Sequence, residues 1–101
     1  MFERFRDVKV RIVDKNFIKK IPLEKVENFL INNGWIVEQY IEINSVIKGK
    51  MWTKKEYDHV ITLPIKQNFL DYPIRLQETL DILMEVEEKN QLVLVEEIYN
   101  S

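Results

Sequence analysis

The chain has no cysteine, only two glycines, one histidine and no long apolar run. Without cysteine there is no disulfide and no thiolate metal site, and a reducing compartment suits such a sequence. Gly34 and Gly49 stand far apart, so they cannot form a glycine-rich loop that cradles phosphate. The lone histidine, His59, would need carboxylate partners to hold a metal, and on a strand its neighbour Asp58 points to the opposite face. Ser45 and Ser101 lie in no nucleophile-elbow motif. Glu85, Glu87 and Glu88 read as a solvated acidic helix surface, with no sign of two carboxylates converging in a cleft. No segment approaches the roughly 20 apolar residues of a membrane span, and Met1-Phe2-Glu3-Arg4 has no apolar core of an export signal. We therefore expect no catalytic residue, no cofactor or metal, no membrane partner and a cytoplasmic location.

What is present suits one α+β domain over residues 1–101. A chain of 101 residues buries roughly 65% of the surface its unfolded form exposes. The 46% apolar and 32% charged content is that of an ordinary globular protein. The net charge of −2 is unevenly spread. Residues 1–20 carry seven basic and three acidic side chains, whereas residues 71–101 carry two basic and eight acidic. Such a division implies internal pairing, a dipolar surface, or docking to a complementary partner.

Val8, Val10 and Ile12 alternate with Asp7, Lys9 and Arg11, a period-two pattern that predicts a half-buried edge strand over 6–13. Pro22 opens a helix whose apolar stripe is Leu23, Val26, Phe29 and Leu30, and Asn33-Gly34 ends it. Trp35 to Ile65 reads as a three-stranded antiparallel meander. Its strands are placed near 35–42, 47–53 and 57–64, with turns at Asn44-Ser45 and around Lys55. Asp71-Tyr72-Pro73 starts a second helix with the stripe Tyr72, Leu76, Leu80, Leu83 and Val86. The segment 91–99 suits either strand or helix and leans to helix. The order is β-α-β-β-β-α(-α), with the helices on one face of the meander.

Alternation from an inward Trp35 sends Val37, Ile41 and Ile43 to the core and Glu38, Tyr40 and Glu42 outward. With the first hairpin centred on Asn44-Ser45, Tyr40 lies opposite Lys50, Glu42 opposite Lys48 and Glu38 opposite Trp52. The second turn then sets Lys50 opposite Val60 and Trp52 opposite Asp58. This register predicts an outer patch of Tyr40, Lys50 and Trp52, either a stabilising cross-strand cluster or a partner-binding surface. Asp71, Tyr72 and Arg75 form a second expected contact region, although Arg75 can equally pair with Asp71 one turn away.

Helix, meander, helix is also the element order of a double-stranded-RNA-binding domain. The residues then available for phosphate are Lys9, Arg11, Lys54 and Lys55, few beside the acidic second helix.

Several short elements carry a further resemblance: Ile21-Pro22-Leu23, Gly34-Trp35, Met51-Trp52, Leu63-Pro64, Asp71-Tyr72-Pro73-Ile74-Arg75, and the leucine-rich run from Asn90-Gln91-Leu92 to Ile98. In these the chain resembles a set of small uncharacterised bacterial proteins common in cyanobacteria. The resemblance implies the α+β fold and a helical last segment, and brings no activity with it. The first expectation for function is a non-enzymatic protein-interaction module, an accessory or antitoxin/immunity-like partner of a larger bacterial protein, or a homo-oligomer. The alternative is a nucleic-acid-binding domain.

Overall fold

Asp14 caps a one-turn helix, α1 (Lys15–Ile18), its carboxylate accepting the backbone N–H of Asn16 at 2.9 Å and of Phe17 at 3.3 Å. The structure, a computed structural model, describes residues 10–101. Pro22 then precedes α2 (Leu23–Asn32), whose buried residues are the expected stripe of Leu23, Val26, Phe29 and Leu30. Asn33 closes the helix by donating its side-chain amide to the Phe29 carbonyl at 2.8 Å. Gly34 follows at φ +89°, a conformation that a side chain would strain.

Three antiparallel strands follow in spatial order: β1 (Trp35–Ile43), β2 (Val46–Lys54) and β3 (Val60–Pro64). Asn44 and Ser45 both take positive φ, as a tight two-residue hairpin turn requires. α3 (Tyr72–Val86) buries its predicted stripe in full. The last segment is helical: α4 (Gln91–Tyr99) is capped by the Asn90 side chain, which accepts the Val93 N–H at 3.0 Å. α2 packs on β1, α3 on β3, and α4 against both of those helices. Buried side chains from sheet and helices form one core that includes Trp35, Trp52, Ile61, Leu63, Phe29, Leu76 and Ile98. The α+β class and the meander are as expected.

Two expectations about strands are overturned. Residues 10–13 form no strand, and the sheet has three strands among the described residues; residues 6–9 of the predicted strand lie outside them. The alternation itself survives, with Ile12 buried between exposed Arg11 and Val13. The partners are two helical glutamines, Gln77 and Gln91, the latter through both backbone and side chain. Ile12 N–H donates to the Gln91 side-chain oxygen at 2.8 Å, Gln91 N–H to the Val10 carbonyl at 3.0 Å, and the Gln77 amide to the Ile12 carbonyl at 2.9 Å. Period two reports a half-buried extended chain and is silent on what covers it.

The second correction concerns the faces of the sheet. Tyr40 does lie opposite Lys50, but Val37 lies opposite Trp52 and Glu42 opposite Ile47. Glu38 and Lys48 are left without partners by two shifts in register. The bulge at Glu38 absorbs one step of the alternation. Trp35 and Val37 before it, and Tyr40 after it, therefore share the helix-facing side, while Ile41 passes to the other side with Gly49. Trp52 is a core residue at 2% exposure, packed on the same side as Trp35. In the second hairpin, Lys50 pairs with Leu63 and Trp52 with Ile61. The connection runs through residues 55–59, with Glu56 at positive φ, so β3 starts at Val60.

Candidate docking surface

The expected outer patch is thus dispersed. Lys50, on the core side of the sheet, reaches Glu27 of α2 at 3.0 Å and lies over the Trp52 ring at 5.9 Å from its centroid. Tyr40 shares that side and remains 52% exposed. Tyr72 is wholly buried and donates its hydroxyl to the Ile21 carbonyl, tying α3 to the start of α2, so it is unavailable to a partner. Burial pushes its phenol well above the usual tyrosine range. Arg75 lies 3.7 Å from Asp71 and 3.3 Å from Glu78, the structural pairing that its spacing allowed.

Two of the four basic residues proposed for nucleic acid, Arg11 and Lys54, are committed elsewhere. Arg11 grips Asp81 of α3 through two bonds, at 2.8 and 2.9 Å, and Asp81 also accepts from Gln91 at 2.7 Å. The Arg11 bond holds the Asp81 carboxyl below its ordinary range. Lys54 meets Glu87 at 3.0 Å and lies over the Tyr57 ring. Lys55 is exposed in the β2–β3 connection, and Lys9 lies outside the described residues. Of the basic residues in this part of the chain, Arg11 is thereby tied to α3. His59 reaches Glu85 at 3.3 Å, and among the described residues no three His, Cys, Asp or Glu side chains gather as a metal site would require.

A different surface stands out, on the loop that joins β3 to α3. Leu70 is 99% exposed, although the loop is firmly tied. Gln67 accepts the Leu23 N–H at 3.1 Å and donates to the Lys19 carbonyl at 3.1 Å, which staples the loop to the α1–α2 junction. Ile65 N–H donates to the Lys48 carbonyl at 2.9 Å, and Tyr72 N–H to the Phe69 carbonyl at 3.1 Å. Phe69 is half-buried beneath the ammonium of Lys48, 5.8 Å from the ring centroid. The backbone holds Leu70 outward, where full solvation of its side chain forgoes roughly 1.5–3 kcal/mol of burial.

Leu70 forms a ridge between two open grooves. One, of about 660 Å³, is walled by Lys19, Lys20, Gln67 and Pro73. The other, of about 590 Å³, is walled by Ile43, Lys48 and Asp71. Asn68, Phe69 and Leu70 belong to both. Beyond the second groove, Asp71 and Arg75 line a small cavity of about 160 Å³ with Lys48 and Thr62. Of the expected contact residues, the structure brings Asp71 and Arg75 to this surface and leaves Tyr40, Lys50, Trp52 and Tyr72 away from it. The sequence signal for Phe69-Leu70 was two large apolar residues in a segment with neither helical nor strand period, just before the Asp71-Tyr72-Pro73 helix start. Lys19, Lys20 and Lys48 carried no such signal, because only folding brings them to one rim. No family model matches the chain, and no curated protein or solved structure does either.

Proposed function

We propose that this protein is a non-enzymatic interaction module that docks onto a partner protein through the Phe69–Leu70 ridge and its flanking grooves. The observation that carries this reading is Leu70, held almost wholly in solvent by a loop whose backbone is anchored at both ends. A lone exposed leucine is ordinary, but Leu70 is contiguous with half-buried Phe69 and exposed Ile43, and a contiguous apolar patch rimmed by polar residues is a feature of interaction surfaces. The exposed Ile43 of the β1–β2 hairpin extends the apolar area along the second groove. The role would be that of an accessory subunit, acting by occupancy of its partner.

Affinity purification from the native host, with the wild-type chain and Leu70→Asp side by side, tests this. A partner should co-purify with the wild type and be lost with the variant. A partner retained in full by Leu70→Asp would overturn the assignment of the surface.

A further inference from the structure

The lysines among the described residues differ in whether they are matched. Lys50, Lys54 and Lys89 are matched to Glu27, Glu87 and Glu97, and Lys25 donates to the Ser101 carbonyl. Lys19, Lys20 and Lys48, which rim the two grooves, and Lys66 in the same loop form no ion pair among the described residues. Lys15 and Lys55 are likewise without one, but line neither groove. Among the described residues, the one carboxylate that lines either groove, Asp71, lies 3.7 Å from Arg75. The ridge thus lies in a cationic field within a chain whose net charge is negative. Exposed cations spaced around an apolar centre attract a complementary anionic surface and set its register.

We infer that the ridge receives a short acidic segment of a partner protein, which seats one apolar side chain in each groove and sets carboxylates against Lys19, Lys20 and Lys48. This rests on the docking reading above and adds the chemistry of the partner. Two grooves astride a single projecting leucine call for a counterpart with two knobs and a gap between them, as neighbouring turns of an amphipathic helix provide. A flat bilayer surface would meet Leu70 but leave both grooves unfilled.

The test is selection from a displayed library of random short peptides against the full chain, with Leu70→Asp as counter-selection. Leu70 is solvated, so that variant should melt with the wild type. The expected winners are rich in Asp and Glu and carry two apolar residues. They should bind Leu70→Asp about tenfold or more weakly, lose several-fold affinity to Lys48→Glu and to the double variant Lys19→Glu/Lys20→Glu, and weaken as salt is raised. Leu70-dependent winners that are neutral or basic would overturn the acidic partner while leaving the docking surface standing. Failure to recover any Leu70-dependent peptide would overturn both. Leu70-dependent co-sedimentation with phosphatidylserine vesicles alone would also overturn both, whereas Leu70-dependent self-association alone would overturn the acidic partner and leave the ridge as a docking surface for a second copy.

Discussion

Val37 stands directly opposite Trp52, and both side chains turn toward the helices. Because Trp35 also turns inward, the two tryptophans share one side of the sheet. The unpaired residues Lys48 and Glu38 lie on opposite strands and cancel, so Val37 meets Trp52 as it would in an uninterrupted hairpin from the Asn44-Ser45 turn. Trp52→Ala should therefore cost about 3–5 kcal/mol, the range for deleting a large buried aromatic. Tyr40→Ala, at a half-exposed position, should cost far less. Urea denaturation of the two variants checks the contrast, and equal losses would contradict the register.

Gln91 is the buried polar residue that organises the chain's front. It is wholly buried, accepts from Ile12 N–H and donates to Asp81. Gln91→Ala leaves a buried N–H without its partner, so a loss of about 1–3 kcal/mol is expected. Gln91→Glu should be worse near neutral pH, because it brings a second carboxylate against Asp81 and removes the donor. Amide exchange at Ile12 should accelerate in both variants.

The Arg11–Asp81 contact predicts an acid limb of stability. Asp81 has a folded pKa below its ordinary value of 3.8, chiefly because Arg11 hydrogen-bonds its charged form. Its contribution is present above that value and is lost as pH falls through the lower, folded one. Both side chains are partly exposed, so solvent screening keeps the effect small. In Asp81→Asn this part of the acid dependence should vanish, read as a flatter profile of melting temperature against pH below about 4.

At the other extreme, burial raises the Tyr72 phenol above its ordinary 10.0. The unfolded chain then loses this proton first, so stability should fall as pH rises past 10. Tyr72→Phe should flatten that alkaline limb while lowering stability at neutral pH by about 1 kcal/mol, through loss of the bond to Ile21. An unchanged alkaline slope would place the phenol in water.

Gly49 has no room for a side chain: an added Cβ would lie 2.8 Å from the Leu63 carbonyl oxygen. Gly49→Ala must push β2 and β3 apart at the point where Gly49 faces Pro64. A cost of about 1–3 kcal/mol, as for other overpacked sites, is expected in thermal or urea unfolding.

The sequence by itself determined the two longer helices and the meander that lies between them. The apolar stripes of α2 and α3, the Asn44-Ser45 turn, the proline that starts one helix and the glycine that follows it all act within a turn or two. Local sterics and periodicity suffice to read them. A glycine within a strand, as at Gly49, marks a bulge or a close backbone approach, and both are there, beside Lys48 and against Leu63. What only the tertiary structure decided was direction and company. The expected register set Trp52 opposite outward Glu38, but it lies opposite inward Val37 and so, with Lys50 two residues before it, faces the core, while the unpaired Glu38 brings Tyr40 to that same side. The period of residues 10–13 could not say that glutamines, and not a neighbouring strand, would meet them. The surface around Leu70 is assembled from α1, the β1–β2 hairpin and the β3–α3 loop. No local signal relates Lys19, Lys20 and Lys48, since their meeting is a property of the packed chain alone.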